Sequence, residues 1–182
     1  MYAVIATFDE RFSKHVKEIR EGLTDIVHNE GLEPHITLAD YHALDLEAYR
    51  HELEKFTESV ERFLVEFSSV GTFPTNGTIF LAPTVTRRLL ELHQSFHNHF
   101  TDFHDQPQSY YVPEKWVPHC TIANRLEWEQ FVRVMEFVYK GFSVQTVVIE
   151  SLKLIKVNYE NGNPVSCNIV AEYNLKRVEI SI

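Results

Sequence analysis

The segment Pro34–Leu38, PHITL, recurs as Pro118–Ile122, PHCTI. Proline, histidine and threonine are minority residues, so two copies of proline, histidine, any residue, threonine and aliphatic point to a duplicated unit. The flanking pattern agrees. Tyr2–Phe8 alternates as a strand, and residues 10–28 place Phe12, Val16, Ile19, Leu23 and Ile26 on one helical stripe. After the first motif, residues 45–59 set Leu46, Tyr49, Leu53 and Phe56 on a second helical face, and Val60–Val70 alternates as a strand. The second half repeats the order. Thr78–Leu81 is a short strand, and residues 86–103 carry Leu89, Leu92, Phe96, Phe100 and Phe103 at helical spacing. The second motif is followed by a helix through Trp128, Phe131, Met135 and Val138 and by the strand Phe142–Ile149. Each half therefore reads strand, helix, motif strand, helix, strand. The expectation is an α+β chain whose halves form two pseudo-symmetric lobes of one domain, residues 1–182.

Two features stand outside the repeat. Residues 151–158 and 165–173 read as strands joined through Asn161-Gly162, a hairpin signal. Residues 104–117, HDQPQSYYVPEKWV, form a long loop with two prolines that leads into the second motif. The 182 residues and 44% hydrophobic content suit one soluble unit with a substantial core. No apolar run is long enough to span a bilayer, and the N-terminus lacks the basic segment and cleavage site of a signal peptide. Cys120 and Cys167 give no disulfide framework and no zinc or redox pair, which fits a reducing, cytoplasmic setting. The net charge of −9 argues against coating long nucleic acid, which rests on many phosphate neutralisations. A small nucleotide or a single RNA end needs only a few local cations, for which Arg87, Arg88, Lys115, Arg125, Lys153 and Lys156 are available.

On a strand, alternate side chains share a face. His35 and Thr37 then lie together, opposite Ile36 and Leu38, and His119 and Thr121 lie opposite Cys120 and Ile122. The aliphatic face suits packing under helices. The polar face does not, because a core would take valine or leucine there. One HxT alone reads as a satisfied histidine on a strand; two in equivalent places suggest a shared site. Two imidazoles can pass a proton in opposite directions, one taking it from a nucleophile and one giving it to a leaving group, near neutral pH. The threonine hydroxyls can donate to phosphate oxygens as charge develops. Such a site handles a phosphodiester without a metal or other cofactor.

With these residues the chain resembles the 2H phosphoesterases, the superfamily of bacterial 2'-5' RNA ligases and cyclic nucleotide phosphodiesterases. The likeness covers the opening strand, both motifs with their prolines, the approach Trp116–His119 and the closing strands. It implies antiparallel sheet in two lobes with outer helices and a central groove carrying the two motifs. It also implies cleavage or formation of 2',3'-cyclic or 2'-5' phosphodiester bonds, with His35 and His119 as acid and base and Thr37 and Thr121 as phosphate ligands. Relatives often carry an arginine directly after the second motif; here Asn124 precedes Arg125, the candidate phosphate or RNA contact. Tyr111 and Trp116, on the loop entering the second motif, are candidate base-stacking residues.

Other readings are weaker. His93 and His97 lie four apart on a helix, with His99 and His104 nearby, but HQSFH lacks the glutamate of a zinc-hydrolase motif, and a polar helix face is the plainer account. No P-loop, GxGxxG or GxSxG occurs. The expectation is a monomeric, cofactor-free phosphodiesterase for a small nucleotide or RNA end, with no membrane partner. The alternatives are a non-catalytic nucleotide- or RNA-end-binding module of the same fold and a metal-dependent hydrolase using the histidines of 93–104.

Overall fold

The computed structural model describes residues 1–27, 33–160 and 163–178. Seven strands form one antiparallel sheet, β1 (Tyr2–Phe8), β2 (His35–Tyr41), β3 (Phe63–Phe73), β4 (Thr78–Pro83), β5 (Cys120–Ala123), β6 (Gln145–Glu160) and β7 (Asn163–Asn174). Among the described residues four helices accompany them, α1 (Glu10–Glu21), α2 (Leu46–Ser59), α3 (Arg87–His99) and α4 (Trp128–Gly141). The strand order is β2-β1-β6-β3-β4-β5, with β7 on β6.

The expected α+β architecture is present, but the lobes are not the sequence halves. β3 pairs with β4, across the boundary between halves, because Pro74-Thr75-Asn76-Gly77 turns the chain back at once. Gly77 has φ +59°, and a Cβ there would lie 2.3 Å from the Leu126 carbonyl oxygen, so glycine is required twice over. The helices also cross over. α1 packs by β5 and α4 by β4, whereas α3 packs by β2 and α2 by β6 and β7. Each motif strand thus sits beside a helix from the other half of the chain.

β6 joins the lobes as a single strand where the periodicity suggests two. Its residues 145–149 pair with β3 and its residues 149–156 pair with β1. At Glu150 the register with β1 shifts, Phe8 pairing with Ile149 and Thr7 with Ser151. This bulge moves the buried phase from Val147 and Ile149 to Leu152 and Leu154, so one strand looks like two. The adjoining Asn161–Gly162 turn lies outside the described residues.

Helix boundaries follow local chemistry. α1 stops at Glu21 rather than continuing to residue 28, because Gly22 has low helix propensity; its N–H still reaches the Glu18 carbonyl. Leu23 stays fully buried, so the apolar stripe outlasts the helix. Asp9 caps α1 through the Phe12 N–H at 3.0 Å and ties it to β6 through the Val148 N–H at 2.8 Å. α3 ends at His99, and a 3-10 turn, Thr101–Phe103, completes the predicted stretch.

The helix-facing side of the sheet joins both lobes in one buried cluster, with Phe12 stacked on Phe67 at 4.7 Å and Tyr49 on Phe100 at 4.8 Å. Burying each such ring contributes about 1.5–3 kcal/mol. The opposite, open face carries a small cluster of Ala3, Ile5 and Ile155.

Candidate active site

The two motifs share one local geometry. The residue before a proline favours extended backbone, so Pro34 and Pro118 predispose Glu33 and Val117 to point their carbonyls along the chain. The Glu33 carbonyl accepts from His35 Nδ1 at 2.6 Å, and the Val117 carbonyl accepts from His119 Nδ1 at 2.6 Å. A carbonyl oxygen only accepts, so Nδ1 carries the proton on both rings and Nε2 keeps the lone pair.

Both motif strands also carry a β-bulge at the same place. Ile5 pairs with Thr37 and Val4 with Ala39, leaving Leu38 as the extra residue. Phe80 pairs with Thr121 and Ile79 with Ala123, leaving Ile122 extra. Two successive residues are therefore buried in each strand, Leu38 with Ala39 and Ile122 with Ala123. His35, Thr37, His119 and Thr121 keep partial exposure. Beyond its bulge β2 returns Asp40, the partner of Ala3, to the open face, where its Oδ1 is buried without a hydrogen-bond partner among the described residues. Strict alternation would have placed Asp40 with Ile36 and Leu38.

β2 and β5, the outer strands, approach each other, and a charge on His119 opposes a charge on His35. Burial pushes His35 down to about 4; the Glu33 carbonyl raises it, and Arg20 and His119 lower it further. Burial lowers His119 as well, against the bond to Val117. Arg20, in the last turn of α1, donates Nη2 to the Thr121 carbonyl at 2.6 Å and bears electrostatically on His35. Nothing in the sequence singles it out, because a lone arginine in a last helical turn reads as an ordinary charge at a helix end. Cys120 is fully buried, and burial pushes its thiol up to about 11, so it takes no part as a nucleophile.

The two histidines differ in surroundings. On the His35 side, Lys153 Nζ meets Glu33 Oε2 at 2.6 Å and Glu172 Oε1 at 3.1 Å. Burial alone would lower this ammonium; the bonds from Glu33 and Glu172 outweigh it and hold Lys153 above its ordinary value. Beside it Thr7 Oγ1 and Ser151 Oγ are 2.5 Å apart. On the His119 side, Phe73 and Phe80 pack on the imidazole with centroids 5.0 and 5.1 Å away. Phe80 lies over Gly71, where a Cβ would fall 2.3 Å from the ring.

The loop 104–117 is pinned to β2. Trp116 Nε1 donates to the Thr37 carbonyl at 2.8 Å, and one face of its indole is covered by His93, parallel to 3° at 3.9 Å. The Tyr111 carbonyl accepts from His93 Nε2 at 2.8 Å, and the Tyr111 phenol neighbours the Thr37 side chain. His97 Nε2 donates to the Leu38 carbonyl at 3.0 Å, its Nδ1 lies 2.8 Å from His104 Nε2, and the Asp105 carboxylate accepts from the His42 and Ala43 N–H groups. His93 and His97 spend these ring nitrogens on the loop and on β2, and among the described residues no group of three His, Cys, Asp or Glu side chains could hold a metal. His99 faces Glu52 at 3.2 Å, away from this cluster. Arg125 is exposed, held at φ 57° with its N–H on the Asn76 carbonyl at 3.0 Å, and its charge bears on Tyr159.

Residues 8–160 match the family model of the 2'-5' RNA ligase superfamily. A protein of Oceanobacillus iheyensis named as a phosphoesterase is 28% identical over 134 residues, which cover 70% of this chain and 74% of that one. Among solved structures, E. coli LigT in apo form aligns with a TM-score of 0.66 at 10% identity over 96% of both chains. TT0787 of Thermus thermophilus gives 0.59 at 15% identity over 96% of this chain and 97% of its own. E. coli LigT complexed with 3'-AMP gives 0.60 at 11% identity over 96% of both chains. At these identities the structural likeness speaks for the fold.

Proposed function

The chain belongs to the 2'-5' RNA ligase superfamily, and we propose that within it this protein is a metal-independent phosphodiesterase. Its substrate is a 2',3'-cyclic phosphate, or a 2'-5' linkage, on a short RNA end or small nucleotide. The observation that carries this reading is the duplicated tautomer lock, which leaves an Nε2 lone pair on each of two neighbouring imidazoles. In hydrolysis His35 Nε2, on the ring pushed down to about 4, takes a proton from water. The water oxygen attacks phosphorus while protonated His119 gives its Nε2 proton to the departing ribose oxygen. In ligation a 5'-hydroxyl takes the place of water and the two groups keep these roles; in the reverse step, cleavage of a 2'-5' linkage, they exchange them. Thr37 and Thr121 donate to the non-bridging oxygens, which carry most charge in the transition state. E. coli LigT has been crystallised with 3'-AMP, NADP+ and ATP, which supports a nucleotide-sized ligand here.

The test uses the purified full chain with a panel of 2',3'-cyclic nucleotides and 2'-5' linked dinucleotides, with and without chelator. Turnover is expected to survive the chelator. His35→Ala and His119→Ala are each expected to cost about 10²- to 10⁴-fold, with the double variant little worse than the worse single one. Thr37→Val and Thr121→Val cost less, since each removes one hydrogen bond. Near-normal turnover by both folded alanine variants refutes the two-histidine mechanism. Loss with chelator and rescue by a divalent ion would favour the metal-dependent reading, and binding without turnover the non-catalytic module.

A further inference from the structure

We propose that Lys153 is a positioning residue for His35, acting through Glu33; the inference rests on the reading of His35 as an acid–base group. Lys153 stands on the open face of β6, with its side chain 8% exposed. Ile5 of β1 pairs with Lys153 on one side and with Thr37 on the other, so Lys153 lies in the same row as the first motif. Its ammonium holds the Glu33 carboxylate at 2.6 Å, and the carbonyl of that same Glu33 accepts the His35 Nδ1 proton at 2.6 Å. Between them stands Pro34, whose ring fixes its own φ and restricts Glu33. Few soft rotations separate the anchored carboxylate from the carbonyl. Pinning the Glu33 side chain to the sheet therefore fixes where its carbonyl points, and with it the tautomer and orientation of the imidazole.

Lys153 is not free to serve as a phosphate ligand. Glu33 and Glu172 already surround its single charge with two carboxylates. The second motif has no counterpart. Gly71 occupies the place of Lys153, pairing with Phe80 as Lys153 pairs with Ile5. There the residue before Val117, Trp116, is tied instead to the Thr37 carbonyl. The two acceptor carbonyls are thus held by different devices, an ion pair for His35 and an indole hydrogen bond for His119.

The experiment compares the full chain with Lys153→Met, Lys153→Arg and Glu172→Gln, each checked for folding by circular dichroism. The first readout is independent of activity: imidazole nitrogen NMR of His35, assigned with His35→Gln. The wild type and Glu172→Gln should show one tautomer, protonated at Nδ1, and Lys153→Met a mixture. In the second readout, turnover of a 2',3'-cyclic nucleotide, Lys153→Met should lose about 10- to 100-fold in kcat, the scale of a misplaced reacting group. KM should change by no more than about twofold, since the interaction lost is felt in the transition state. Lys153→Arg should restore most of the rate. If Lys153→Met does not fold, the Glu33→Gln/Lys153→Met double variant removes both charges of the ion pair and should show the same mixed tautomer. A single Nδ1-protonated tautomer with unchanged kcat in either variant overturns the proposal. If the wild type turns over no cyclic phosphate, the functional reading falls, and the NMR comparison still decides the tether.

Discussion

Replacing His35 by glutamine removes a titrating ring while leaving an amide near the Glu33 carbonyl, so it tests how strongly the site excludes a proton. The folded ring titrates at about 4 against an ordinary value of 6.5, chiefly because burial disfavours the imidazolium. At about 1.4 kcal/mol per pH unit, that difference corresponds to roughly 3.4 kcal/mol at most. The ring keeps partial exposure, and solvent screening reduces the expected figure to about 1–2 kcal/mol. The sign follows from proton linkage. As pH falls through 6.5 the unfolded ring takes up a proton, while the folded ring does not until about 4. The wild type therefore loses stability relative to His35→Gln across that window, and the difference levels off below it. His93 is also pushed down to about 4, mainly by burial, and its loss occurs in both proteins and cancels in the difference. Urea unfolding followed by circular dichroism, at several pH values from neutral to about pH 4, gives the comparison. Only the slope matters, because the substitution also carries a pH-independent cost. A difference that stays flat from neutral to acid refutes a ring held neutral by desolvation, and a slope of opposite sign would mean that carboxylates dominate its surroundings.

Two further outcomes follow from the same geometry. Because burial lowers both imidazoles, kcat/KM for a cyclic nucleotide should peak on the acid side of 6.5 and fall on both flanks, whereas kcat peaks higher once the bound phosphate anion favours the imidazolium; a kcat/KM maximum at about pH 8 or above refutes this. Trp116→Phe keeps a ring against His93 but deletes the bond to the Thr37 carbonyl, and should destabilise by about 1–3 kcal/mol in chemical denaturation; an unchanged midpoint shows that the bond does not hold the loop.

Much of the architecture is legible in the sequence because hydrophobic periodicity reports which face each element buries. Tyr2–Phe8 is read to the residue, and α2 and α3 begin within one residue of expectation, behind the caps Asp45 and Thr86. The failures share a cause. Periodicity describes one element at a time, and it breaks where a bulge inserts a residue. At Glu150 that splits one strand into two on paper, and at Leu38 strict alternation would put Asp40 on the wrong face. Partner choice is a second blind spot. Whether β3 joins the first or the second motif depends on the four-residue turn at 74–77, whose Asn76-Gly77 pair carries the hairpin signal that the even spacing of elements obscures.

The site divides along the same line. The motif histidines and threonines stand out because a repeated polar pair on a strand has no packing explanation. Their supports do not stand out, because each looks ordinary alone: Arg20 is a charge at a helix end, Lys153 a charge in a strand, and His93 a polar residue on a helix. Their meaning appears only when the fold brings Arg20 to the Thr121 carbonyl, Lys153 to Glu33 and His93 to Trp116. The repeated elements, the proline, the carbonyl bond to Nδ1 and the bulge after threonine, present the two rings alike. The elements that are not repeated, Lys153 against Gly71 and the aromatic pair Phe73 and Phe80 beside His119 alone, make the rings unequal. Under the proposed acid–base mechanism that inequality biases which imidazole starts neutral and which protonated, on top of the mutual repulsion that disfavours charging both. Duplication thus accounts for the likeness of the pair, and divergence of the residues behind it for the division of labour that the proposed mechanism assigns to the two rings.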